Sequence, residues 1–201
     1  MKKCKVEGCN CKHYAKGYCS KHYMQYKRHG EVPERTKYDP NKIIEYDDYA
    51  EIVLYNKDCE EVARTLIDLD DIDKVKDYKW SLLSNGYVAY KSKKIRLHRF
   101  ITDCPDNMVV DHINHNPLDN RKCNLRICTQ QENMMNQSIN SKNTSGITGV
   151  VWNKQKNRWM AQIMCNKKNI NLGLFNTKEE AIEARKQAEL EYFGEYRNKD
   201  E

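Results

Sequence analysis

VVDHINHNPLDNRKCNLRICTQQENMMN, residues 109–136, sets two short apolar runs around a turn-rich loop and ends in a helix signal. Met108 to Val110 form an apolar strand that ends at Asp111-His112. Asn116-Pro117 and Asp119-Asn120 are turn chemistry, because short amides and carboxylates bond their own backbone and proline fixes φ. Leu125 to Cys128 make a second strand. Thr129 with Glu132 three residues on is a capping box that opens a helix. The order is strand, loop, strand, helix. Asn133 falls in the first helical turn, where it can face the end of the first strand.

This order and spacing resemble the HNH family of ββα-metal nucleases, through Asp111-His112, Asn124 and Asn133. The resemblance implies that Asp111 and Asn133 bind one divalent metal ion, that His112 activates water and that Asn124 orients the loop. The chemistry is coherent. Phosphodiester hydrolysis needs a nucleophilic water, charge relief at phosphorus and a stabilised leaving oxygen. A neutral imidazole can take a proton near neutral pH, and a hard cation held by carboxylate and amide oxygens suits Mg²⁺ or Mn²⁺. Many HNH enzymes carry histidine where Asn133 stands, so a weaker ligand and a nicking habit are open. His115 and Asn136 are alternative ligands, with His115 expected to face solvent. His98, in LHRF, matches a frequent upstream element, and packing or a phosphate contact is its expected role.

Outward from this segment, the chain divides into blocks. Residues 43–97 form a small β-rich segment, with strands in AEIVLYN and in YVAYKSKKIRLHRF and a turn at Asn85-Gly86. Trp80, Leu82, Tyr87 and Ile95 are its expected core, and the acidic run DLDDIDKVKDY a helical or turn surface. Residues 98–140 are the nuclease core. Residues 31–42 (EVPERTKYDPNK), with two prolines, are a linker that few contacts should cross.

The first block, 1–30, holds four of the nine cysteines in its first 19 residues. Cys4-x4-Cys9 and Cys19-x2-His22 are two ligand pairs with a nine-residue bridge, a pattern that fits a tetrahedral structural Zn²⁺. Cys11 and His13 are spare candidates. The segment resembles the small CxxxxC…CxxH fingers of some phage HNH proteins. Zinc would supply folding energy that about 30 residues cannot find in a core of their own. Lys27 and Arg28 follow on a helix and can meet phosphates.

The last block, 144–197, reads β-β-β-α, with strands ITGVVW, RWMAQIMC and NINLGLF and a helix capped by Thr177 and Glu180. Ala181, Ala184 and Ala188 give that helix a close-packing face. GVVW, RWMAQI, LGLF and TKEEA resemble the Apetala-type DNA-binding domain of plant ethylene-response factors. The resemblance implies that the sheet enters the major groove. Trp152, Asn153, Lys154, Lys156, Arg158, Gln162, Lys168, Asn169 and Asn171 are then the DNA-facing candidates, with lysines on phosphates and amides on adenine edges. Val151 and Asn153 stand where the plant domain places arginines, so its base-reading code does not transfer.

The charge agrees with a polyanionic partner gripped at both flanks. Residues 1–42 carry eleven basic and four acidic groups, and 144–176 carry five basic and none acidic. No run of about 18 apolar residues is present, and the N-terminus has no apolar signal region. The expectation is therefore a cytoplasmic, reducing setting, such as a phage protein in a bacterial host. The partner expected is double-stranded DNA, with no membrane and no obligate protein partner. The fold class expected is a multi-domain α+β protein: zinc knot, β-rich segment, ββα-metal core, and a three-stranded antiparallel sheet with one helix. The function expected is a homing-type, metal-dependent endonuclease. The alternative is a non-cutting, sequence-specific DNA-binding regulator that keeps a vestigial nuclease fold.

Overall fold

The computed structural model describes residues 2–33, 35–36, 39–90, 94–137, 139 and 143–198. The chain mixes small antiparallel sheets with short helices, as an α+β protein does.

The N-terminal unit is irregular up to helix α1 (Ser20–His29), which ends on Gly30 in the left-handed region. Strands β1 (Ile43–Glu45), β2 (Ala50–Tyr55) and β3 (Glu61–Ile67) form the first sheet, in that order. Strand β2 alone has an almost continuous apolar run, and its Ala50, Ile52, Val53 and Leu54 are buried. Strand β3 is an edge strand, buried only towards its end, so its sequence EVARTLI gives little alternation to read. A short 3₁₀ turn (Leu69–Asp71) and helix α2 (Ile72–Val75) follow. The acidic run is thus more than surface, since it buries Asp71 and Val75.

Strands β4 (Ser81–Leu82), β5 (Val88–Tyr90) and β6 (Ile95–Arg96) make a second sheet. The expected strand does not continue through LHRF; it gives way to helix α3 (Leu97–Thr102). The reason is the placement of Leu97, His98 and Ile101, which a helix turns inward together and all of which are buried. Residues 91–93 of that expected strand, and position 140, lie outside the described residues.

One hydrophobic core joins these pieces to the segment that follows. Ile52, Leu54, Ile67, Val75, Trp80, Val88, Leu97, Ile101 and Leu125 pack together, so the core runs continuously from 43–97 into 98–140. Each fully buried large side chain contributes about 2–3 kcal/mol against exposure. Trp80 fills the centre at 1% exposure and donates its indole N–H to Val75 O at 3.0 Å. The 31–42 stretch is tied down at its end, contrary to the expected sparse contacts. The Asn41 amide donates to Val53 O and Trp80 O, and accepts from the Trp80 N–H.

Strands β7 (Val109–His112) and β8 (Leu125–Cys128) pair antiparallel, and helix α4 (Gln130–Met135) follows with its Thr129–Glu132 capping box formed. The edge of β3 docks the loop between them. Leu66 N–H donates to Leu118 O at 2.8 Å, and Asn120 N–H donates to Leu66 O at 2.9 Å.

The C-terminal unit has strands β9 (Val150–Asn153), β10 (Arg158–Cys165) and β11 (Lys168–Phe175) in the order β11-β10-β9, backed by helix α5 (Lys178–Tyr192). Ala161, Ile163, Ala181 and Ala188 are buried between sheet and helix. Small side chains let the helix lie close. Gly149 enters β9 at φ +82°, where an added Cβ would lie 2.3 Å from Gln162 O. A 3₁₀ turn (Gly194–Tyr196) closes the unit.

Candidate active site and nucleic-acid interface

Asp111 and His112 end β7, and both are buried. They line one open cavity of about 360 Å³ together with Asn133, His115, Asn136 and Tyr87. Strand β7 therefore ends beside α4, and the cavity at that end is lined by the carboxylate, the imidazole and Asn133.

Asn124 sits at the root of β8 and ties the loop shut. Its side-chain oxygen accepts the Asn114 N–H at 2.9 Å, and its amide donates to Asp119 O at 2.8 Å. Its carbonyl accepts the Ile113 N–H at 2.9 Å. Inside the loop, Asp119 receives two bonds from Arg121 at 2.8 Å and one from Asn114 at 3.0 Å. Those bonds, against the opposing effect of burial, hold its carboxyl below the usual range.

The protonation of His112 follows from its neighbours. Asn120 is 1% exposed. Its amide nitrogen donates to Thr65 Oγ1 at 2.7 Å and to Pro117 O at 3.2 Å, which fixes the orientation of the amide. The Asn120 oxygen must then be the atom 3.4 Å from His112 Nε2. A carbonyl oxygen only accepts, so Nε2 carries the proton and Nδ1 keeps the lone pair. Burial holds the imidazole below its ordinary pKa, while Asn120 and the Asp111 and Asp119 charges oppose that shift. His112 is thus neutral, with Nδ1 as its basic atom.

His98 stacks edge-on against His112, with ring centroids 5.1 Å apart, and touches Tyr87 at 5.2 Å. Burial, helped by the neighbouring His112, Arg96 and Arg99, pushes its pKa down to about 3. At 4% exposure it is a packing residue that stays uncharged. His115 Nε2 lies 2.5 Å from Asn136 O, so this ring faces α4.

Two contacts at Asp111 go beyond the expected set: Arg126 is not among the expected residues, and Asn136, an alternative metal ligand by expectation, turns its N–H to the carboxylate. Arg126, on β8 directly opposite Asp111, reaches Oδ2 through Nε at 2.9 Å and Nη2 at 2.6 Å. The same guanidinium donates to Glu195 O at 2.7 Å, joining the C-terminal turn to the carboxylate. Asn136, at the end of α4, donates its amide to Oδ1 at 3.2 Å and Oδ2 at 3.0 Å. Cross-strand register is the signal that would have found Arg126: in an antiparallel ββ unit it must sit opposite the aspartate. Asp111 and Asn133 line this open cavity and offer oxygens of the type a hard divalent cation takes, while both Asp111 oxygens are here bonded by Arg126 and Asn136.

At the N-terminus, Cys4, Cys9, Cys19 and His22 bring their ligand atoms within 4.8 Å of one another. His22 Nδ1 lies 3.2 Å from Cys4 Sγ and 3.6 Å from Cys19 Sγ. Three thiols and one imidazole at these separations make a donor set for a tetrahedral metal. Burial raises the Cys4 thiol, but hydrogen bonds from His22 and from the backbone outweigh it and bring its pKa down to about 6. Cys11 is exposed, and His13 Nε2 accepts the Gly17 N–H at 3.0 Å, so both are engaged elsewhere or outside the cluster.

Lys27 and Arg28 are exposed in the last turn of α1. In the C-terminal sheet, Arg158, Gln162, Lys168, Asn169 and Asn171 lie on the strands, and Lys154 and Lys156 in the β9–β10 turn. Trp152 pairs opposite Trp159, and the two rings meet edge to face at 5.3 Å, on the side of the sheet nearer the helix. Asn153 spends its side-chain oxygen on the N–H groups of Gln155 and Lys156, and Asn171 on that of Gly173. Their amide nitrogens carry what these two residues can offer outward.

Residues 100–135 match the HNH endonuclease family. A protein described as an uncharacterized HNH endonuclease, L560 of Acanthamoeba polyphaga mimivirus, is 34% identical over 137 residues. That alignment covers 65% of this chain and 71% of the relative. Protein 3.8 of Escherichia phage T7 is 34% identical over 67 residues, covering 33% of this chain and 55% of that protein. No solved structure matches.

Proposed function

Because the chain belongs to the HNH endonuclease family of phosphodiester hydrolases, we propose that it cuts double-stranded DNA in a divalent-metal-dependent, homing-type reaction. The observation that carries this reading is the shared cavity of Asp111, His112 and Asn133, with the lone pair of His112 set by Asn120. His112 Nδ1 takes the proton of the attacking water. Asp111 and Asn133 would hold Mg²⁺ or Mn²⁺, which supplies charge relief at the phosphate and the leaving 3′ oxygen. Asn124 keeps the loop closed, so that His112 does not drift from the scissile bond. Arg126 and Asn136 orient Asp111.

The flanks serve binding in this proposal. Cys4, Cys9, Cys19 and His22 hold a structural Zn²⁺, which orders the unit that presents Lys27 and Arg28. The C-terminal sheet lies on the duplex, with the lysines on phosphates. Incubating supercoiled plasmid with the protein, with and without Mg²⁺ or Mn²⁺, tests the reaction. Nicked or linear product only with the cation supports it. DNA that is bound but stays intact with every cation favours a regulator with a vestigial nuclease fold.

A further inference from the structure

The outward face of the C-terminal sheet sets Val151, Met160 and Met164 among amide side chains and one arginine, with no carboxylate. Alternation from the buried Ala161 and Ile163 turns Arg158, Met160, Gln162 and Met164 to the side away from α5. Register places Val151 beside Met160, and Asn169 beside Met164. Val151 is 42% exposed and Met164 62% exposed. Between these apolar groups lies a preset amide pair, since the Asn169 amide donates to Gln162 Oε1 at 2.8 Å. Whichever way the two amides are turned, that one bond leaves one donor group and one acceptor group free.

The surroundings select a polyanion as the occupant. Lys154, Lys156 and Arg158 border one end of this face, Lys167 and Lys168 the other, and no acidic residue occurs between 144 and 176. The helix on the opposite side carries Glu179, Glu180, Glu183 and Glu191. The charge therefore turns the sheet, and not the helix, towards phosphates.

Resting on the reading that this unit grips duplex DNA, we propose that the sheet selects A·T-rich sites in the major groove. The Gln162–Asn169 pair would read the N7 acceptor and N6 donor of adenine. Met160, Met164 and Val151 would cover thymine 5-methyl groups. The chemistry matches: in the major groove adenine is the base that offers a neighbouring acceptor and donor, and thymine the base that offers a methyl. The spacing matches as well. Alternate residues on a strand are about 6.7 Å apart, close to two base-pair steps of about 3.4 Å. Met160, Gln162 and Met164 would then address positions two pairs apart.

The test is a binding selection from a randomised duplex library, using the full chain in buffer without added Mg²⁺ or Mn²⁺. Fluorescence anisotropy on the winning duplex and on its thymine-to-uracil counterpart follows. The expected result is A·T-rich winners and about a fourfold loss for each methyl removed, the equivalent of about 0.8 kcal/mol for one buried carbon. Met164→Ser, at a site that is 62% exposed, should shrink the thymine–uracil difference. Gln162→Ala should relax the adenine preference. G·C-rich winners, or equal affinity for thymine and uracil duplexes, would overturn the proposal while leaving DNA binding intact. No binding to any duplex, or preference for double-stranded RNA, would instead overturn the underlying reading of this unit.

Discussion

Replacing Asn120 by alanine isolates the step by which this fold sets its base. The substitution removes the only side-chain acceptor recorded for His112 Nε2 among the described residues, and with it the bonds to Thr65 and Pro117. Thr65 keeps its own bond to Leu118 O, so the β3 edge still holds the loop. The imidazole then has two choices. It can keep Nε2–H buried without a partner, at about 1–3 kcal/mol. It can instead move the proton to Nδ1 and forfeit the base. Either route takes that energy from the reactive arrangement, which corresponds to a fall in kcat of roughly ten- to a hundredfold. Affinity for DNA should not change, because Asn120 is buried away from any surface. Single-turnover cleavage of a labelled duplex reads the rate, and ¹⁵N NMR of the histidine ring reads the tautomer. A wild-type protein with its proton on Nδ1 of His112, or an Asn120→Ala enzyme at full rate, would refute this reasoning.

Other consequences follow from single contacts. His98 has a folded pKa of about 3 against an ordinary value of 6.5, so the folded state binds fewer protons than the unfolded chain. Its contribution is complete above about pH 6.5 and is lost as pH falls towards 3, by at most about 1.4 kcal/mol per pH unit; urea melts from pH 7 to 5 should show the decline, and His98→Phe should lessen it, leaving the part that His112, also held below its ordinary pKa, contributes. Gly149→Ala forces a Cβ into the carbonyl of Gln162 and to within 2.9 Å of Arg185 at a positive φ. It should destabilise the C-terminal unit by about 2 kcal/mol or more, seen as earlier exchange of the β9–β10 amides. Elemental analysis should find one zinc per wild-type chain, and Cys19→Ser should lose it together with the helicity of α1.

The parts legible in the sequence were those whose signals are local. The capping boxes at Thr129 and Thr177 announced α4 and α5, and the alternation in RWMAQIMC announced β10, because each is written in four to eight consecutive residues. Strand β3 was illegible because it is an edge strand whose outer half stays exposed, leaving no apolar rhythm. Helix α3 was hidden because its aliphatic and aromatic residues favour strands locally, and only the core around Trp80 selects the helix. At the site, Asp111, His112, Asn124 and Asn133 were named through the resemblance to HNH nucleases, and Asp111, His112 and Asn133 do line one cavity. Thr65 and Asn120 could not be named, since 55 residues separate the two partners that fix the His112 proton. Arg126 needed the β7–β8 register, which a sequence does not print.

The claim on which the account stands is that His112 is the base in a site that binds DNA independently of it. The direct measurement is the Mn²⁺-dependent cleavage rate of His112→Ala beside its affinity for the same duplex. The account predicts a rate at least about a hundredfold below wild type with binding unchanged. Cleavage by His112→Ala at the wild-type rate would contradict it.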